Sequence, residues 1–221
     1  MRHRSALTSA ATAALTLLGC ASAAAAGSVG GGASALRANA NALVAPVSVG
    51  ALPSVLLPRE GGGPFTESLL SANVAGLLPL QAAKVTTEGN AGLGRSQSSA
   101  SVIEAGLAGL VSVSAARSRC SATADGATAS ASVADLVVAG IPISTVDAGA
   151  NTTISLPVGT VVVNEQLRTA NGVTVNAVRV SLSALLVTGD IVIAQSRCSV
   201  TAGGDTARTR AVRRARAASK R

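Results

Sequence analysis

Two segments of this 221-residue chain echo each other: Ala116 to Gly126 reads ARSRCSATADG, and Ala194 to Gly204 reads AQSRCSVTAGG. Each follows a strand-like run, VSVSA in one case and IVIA in the other. A shared S-R-C-S centre after a Val/Ile run predicts equivalent strands in two halves of one domain, each carrying its cysteine at the same structural position. Pairing Cys120 with Cys198 would close a loop of about 79 residues and stabilise the fold by roughly 4 to 5 kcal/mol on the chain-entropy model, less any strain. That is comparable to the whole net stability of an ordinary domain. The alternatives are two buried free thiols or a metal site.

The start of the chain bears on that choice. Met1 to Arg4 form a basic stretch, Ala10 to Leu18 an apolar one, and Ala21 to Gly27 a run of small residues with several A-x-A sites. This is the layout of a secretory signal peptide over residues 1–26, with cleavage expected after Ala26. The apolar stretch is too short for a stable membrane span. Leu17-Leu18-Gly19-Cys20 resembles a lipobox, so lipidation at Cys20 is the competing fate. Removal of residues 1–26 takes away His3 and Cys20, leaving no histidine and two cysteines. An even thiol count in an exported chain reads as a disulfide. With no histidine, a metal site is the weakest alternative, and no cofactor is expected.

The rest of the composition points to strands. The apolar share of 48% includes one Phe and neither Tyr nor Trp, so a core must be filled with small branched side chains. Val111, Val113 and Ala115 alternate with Ser112, Ser114 and Ala116; Ala129, Ala131 and Val133 alternate with Ser130 and Ser132. VGTVVVNEQ, GVTVNAVRVSL and GDIVIAQSRCSV follow, separated by the turn signals NTT, TANG and VTGD. In GVTVNAVRVSL the apolar phase moves from Val173 and Val175 to Val178 and Val180, which implies a bulge near Ala177 or a strand buried on both faces. The expectation is an all-β domain over 65–205, an antiparallel sandwich or barrel of about eight strands with a two-half internal repeat. Residues 27–64, with GGGA and EGGGP runs, read as a low-complexity spacer holding short extended pieces such as Leu43 to Val49.

Charge sits at the ends. The net +8 includes Arg208, Arg210, Arg213, Arg214, Arg216, Lys220 and Arg221 in a tail that begins at 206, whereas residues 28–204 hold nine basic and nine acidic side chains. A neutral middle argues against a groove that tracks a phosphate backbone, and no specific nucleic-acid partner is expected. The tail, disordered or helical, is either a solubilising extension or an electrostatic contact to anionic envelope polymers or lipid headgroups, weakened by salt.

From about residue 43 to residue 202 the chain resembles the choice-of-anchor P family of exported proteins in high-GC Gram-positive bacteria. The carrying segments are FTESLLSANVAGLL (65–78), SSASV (98–102), GLVSVSAARSRC (109–120), NTTISLPVGTVVVNEQ (151–166), TVNAVRVSL (174–182) and GDIVIAQSRC (189–198). The resemblance implies an exported or surface-displayed β-domain whose C-terminal anchor varies among members, and no established activity. This sequence carries no LPxTG-like sorting motif and no hydrophobic span before its basic tail, which shifts the expectation toward free secretion or tail-mediated retention.

Catalytic groups are scarce. Without residues 1–26 the chain has no His or Tyr, and Lys84 is its only lysine before the tail, which excludes a Ser-His-Asp triad. Carboxylates such as Glu104, Asp135, Asp147, Glu165 and Asp190 could in principle pair as an extracellular hydrolase does. Solvated turn or strand-end carboxylates are the plainer reading, with Asp147 and Asp190 beside turn glycines. Asn164-Glu165-Gln166 reads as a structural turn, or else as a polar ligand contact. Asn151-Thr152-Thr153 reads as a turn leading into a strand. Arg119 and Arg197 fall on the face opposite the cysteines, as solvated arginines or as an anion site shared by the two halves. The overall expectation is a non-enzymatic secreted or cell-surface protein, structural or adhesive. Binding of anionic polymers through the tail, or contact with other surface proteins, is the alternative.

Overall fold

A computed structural model describes residues 27–42, 46–74, 78–107, 110–145, 148–184 and 187–203. The signal peptide, Cys20, Asp147 and the Arg-rich tail lie outside the described residues. The described chain is all-β, with fourteen strands where about eight were expected. In order they are β1 (Ser28–Ala42), β2 (Pro46–Leu57), β3 (Gly61–Leu69), β4 (Ala72–Val74), β5 (Leu78–Asn90), β6 (Arg95–Leu107) and β7 (Val111–Thr123). Then come β8 (Gly126–Ala134), β9 (Leu136–Val138), β10 (Ile141–Ile143), β11 (Thr152–Leu156), β12 (Gly159–Thr169), β13 (Gly172–Ala184) and β14 (Val187–Thr201).

They form two antiparallel sheets. The first runs β11-β12-β13-β14-β1-β2; the second runs β10-β9-β7-β6-β5-β3, with β8 beside β7 and β4 beside β5. The sheets stack as a sandwich, β14 facing β6 and β7, and β1 facing β5 and β6. Among the described residues no helix is long and apolar enough to cross a membrane.

The stretch read as a spacer is the largest correction. Ser28–Ala42 is a central strand, paired along its length with β14 on one side and β2 on the other. Its Ala33, Ala35, Leu36, Ala38 and Ala40 are buried. The triple glycine at 30–32 permits close sheet approach: a methyl added at Gly31 would lie 2.7 Å from Thr87 Oγ1 of the facing sheet. Small residues that look like low complexity are here the packing solution for a core without aromatics.

The largest fully buried side chains are Leu136, Ile191 and Ile193, followed by valines, whereas Phe65 lies 38% exposed on edge strand β3. Hydroxyls are part of the interior. Ser98 Oγ of β6 donates to the Arg197 carbonyl of β14 at 3.0 Å and accepts from the Gly32 amide at 3.2 Å. Ser96 Oγ donates to the Ser199 carbonyl at 3.2 Å. These bonds tie main chain to side chain between sheets, and no buried side-chain polar atom among the described residues lacks a partner.

Each sheet reverses its in-out alternation along one transverse row. In β13, Val173, Val175 and Ala177 are buried, then Val178, Val180 and Leu182. The expected phase shift is real, but no residue is inserted, because pairing with β12 and β14 keeps one register across it. Instead Asn164 (φ 52°) and Ala194 (φ 50°) occupy left-handed backbone on the flanking strands. Such a residue rotates the chain so that the alternation restarts on the other face. In the second sheet Glu104 (φ 47°) and Asp135 (φ 50°) do the same. The reversal corrects the expected β7 pattern: Ala116, Ser118, Cys120 and Ala122 are buried, while Ala115 is only half-buried.

Of the turn signals, TANG forms the β12–β13 connection and Asn151 (φ 60°) precedes β11 as expected. VTGD does not turn. It lies inside β14, where Gly189 passes so close to β1 that a methyl there would run into the Asn39 carbonyl.

Candidate functional site

The two S-R-C-S centres meet. Cys120 of β7 and Cys198 of β14 are joined by a disulfide between the sheets, with Cα atoms 5.9 Å apart, so the free-thiol and metal alternatives fall. Ser118 Oγ lies 2.7 Å from Ser196 Oγ. Both contacts span the same separation of 78 residues, so β7 and β14 run in the same direction across the sandwich, in register. Alternation then sends Arg119 and Arg197 to opposite outer surfaces, both exposed. An anion site shared by these two arginines is excluded by that geometry.

The Asn164-Glu165-Gln166 segment is mid-strand in β12, not a turn. Glu165 is paired with Asn176 of β13, and Asn176 with Gln195 of β14, which places the three side chains in one row on the outer face of the first sheet. Asn176 Nδ2 donates to Glu165 Oε2, and Gln195 Nε2 donates to Asn176 Oδ1 at 2.8 Å. Arg179 bridges Glu165 at 3.3 Å and Asp190 at 3.2 Å. Ser181 Oγ donates to Asp190 Oδ1 at 2.7 Å. Burial draws the Arg179 guanidinium down, but the charge of Glu165 and the hydrogen bond and charge of Asp190 outweigh it, so its pKa lies above the ordinary arginine value. Glu165 is 8% exposed and Asn176 3%. The cluster is a closed polar network whose two carboxylates share one guanidinium, and Asp190 is a strand residue where a turn position was expected. Arg179, Asn176, Ser181 and Gln195 were not singled out in the sequence, although counting outward from the TANG turn places Glu165 opposite Asn176.

Gln166 and Arg168 point the other way, into the side of the sandwich. Gln166 Nε2 donates to the Ala129 carbonyl at 3.2 Å, and Arg168 Nη1 to the Ala127 carbonyl at 2.8 Å. Two side chains thus clip the free edge of β8 to the opposite sheet.

Glu104 and Asp135 line one open depression on the second sheet, with Gln81, Ser112 and Ser114. Among the described residues no three His, Cys, Asp or Glu side chains are grouped to hold a metal ion. Comparison with family models, curated proteins and solved structures finds no match to this chain.

Proposed function

We propose that this chain is an exported, non-enzymatic β-sandwich protein that works outside the cell or at its envelope in a structural or adhesive role. The observation that carries the reading is the Cys120–Cys198 bond between the sheets. Such bonds persist in oxidising compartments and are rare where thiols are kept reduced. The basic, apolar and small-residue order of residues 1–26 supports the same address, and so does the resemblance to choice-of-anchor P proteins.

The test is fractionation of the native cell, with the intact mass measured before and after reduction. The expected species lies outside the cytoplasm, lacks residues 1–26, and gains the mass of two hydrogens on reduction. A full-length cytoplasmic protein with free thiols would overturn the proposal, whereas a lipid-sized increment on Cys20 would reassign the signal and keep the location.

A further inference from the structure

The middle of the chain is neutral by count, yet the fold sorts its charges. On the outer face of the second sheet, one cross-strand row reads Ser68, Lys84, Ser101, Arg117 and Ser132, and the next Thr66, Thr86, Ser99, Arg119 and Ser130. Farther along are the row holding Glu88, Gln97, Ser121 and Thr128, and then Arg95 between Asn90 and Thr123. Lys84, Arg95, Arg117 and Arg119 are all exposed, and none makes an ion pair among the described residues. Glu88 is the one carboxylate within these rows. Glu67 lies in the row of buried Val85, Asp125 sits in the β7–β8 turn, and Glu104 and Asp135 lie beyond the row of Ile103. Nearly everything between the cations is a serine or threonine hydroxyl.

Strand geometry gives the spacing. Lys84 and Arg117 are two strands apart on one row, about 9.5 Å, and Arg117 and Arg119 are two residues apart on one strand, about 6.7 Å. The cations therefore form a two-dimensional array on a rigid face, in mutual reach at a screening length of about 8 Å. The opposite outer face differs: there Arg179 is already held by Glu165 and Asp190, and the exposed Arg37 and Arg197 stand apart, Arg37 pairing with Val192, five rungs or roughly 17 Å along β14 from Arg197.

We infer that the outer face of β5, β6 and β7 binds an extended anionic polyol polymer, its repeating phosphates on Lys84, Arg117 and Arg119 and its hydroxyls on the intervening serines and threonines. Charge complementarity selects the anion. Absence of any aromatic side chain from these rows leaves nothing for bases to stack on, which selects the polyol over a nucleic acid. The inference deepens the proposed envelope role and fails independently of it, since a protein can be exported and still ignore such a polymer.

The experiment measures binding of the full chain to a poly(glycerol phosphate) chain, with neutral dextran and a single-stranded oligonucleotide of equal phosphate number as comparison probes. Arg117→Ser/Arg119→Ser is set against Arg37→Ser/Arg197→Ser, which removes the same charge from the other sheet and leaves the tail common to both. The expected result is a loss of about tenfold or more for the first pair and under about threefold for the second. Arg117→Lys/Arg119→Lys, which keeps the charge, should bind within about threefold of the parent and guards against a folding defect. Equal losses from the two faces, no loss from either, or tighter binding of the oligonucleotide than of the polyol polymer would each overturn the assignment.

Discussion

At the scale of single residues, the telling positions are those whose backbone a β-protein should avoid. Ala194 is fully buried in the central strand β14 with φ 50°, a conformation that brings Cβ against the following carbonyl at a cost of about 1–2 kcal/mol. The alternation reversal in the first sheet depends on it. Ala194→Val, favourable by strand propensity, is expected to destabilise by about 2 kcal/mol or more, because a β-branched residue resists this backbone and overfills the core. Ala194→Gly should stay within about 1 kcal/mol of the parent, relief of strain offsetting a freer unfolded chain. Chemical denaturation of the two variants checks the contrast, and the reverse order would remove the left-handed residue as the cause of the reversal.

At the scale of elements, the sandwich is closed along one side by side chains where no ladder exists. Arg168 and Gln166 reach carbonyls of β8, whose other edge pairs with β7. Arg168→Ala is expected to raise hydrogen exchange across Gly126–Ala134 by about fivefold to tenfold, the equivalent of one lost hydrogen bond, with β6 unchanged. Uniform acceleration in both strands would place the effect on global stability instead. These elements show what the sequence makes legible. Val/Ser alternation, the TANG turn and the S-R-C-S echo identify strands and the cross-link, because period and turn chemistry are local. Ser28–Ala42 escapes that reading. Apart from Val29 and Leu36 its inward residues are Gly and Ala, whose contrast with Ser and Asn is faint, and its register is set by strands far away in sequence. The Glu165–Arg179–Asp190 cluster escapes for the same reason, being assembled across three strands. The charged face of the second sheet is invisible to a residue count, since only the pairing shows which side each cation takes.

At the scale of the molecule, the domain begins well before Phe65. β1 lies between β14 and β2 and contributes buried residues from Val29 to Ala40. A chain starting at Phe65 would leave β14 an open edge in mid-sheet and strip part of the core. It is expected to show no cooperative thermal transition, whereas the full chain unfolds in one step. A sharp calorimetric peak from the shortened chain would restore the spacer reading.

The pairing of Ser28 with Thr201 puts the start of β1 beside the end of β14. A pull applied through the segments leading into one and out of the other therefore peels these strands apart one rung at a time and does not shear the whole ladder at once. Such a contact yields at low force. Unravelling is bounded all the same, because the residues between Cys120 and Cys198 sit inside a covalent loop and cannot be paid out as slack. Under tension the protein behaves as an extensible lead, drawn mainly from residues 28–119, that ends in a hard stop.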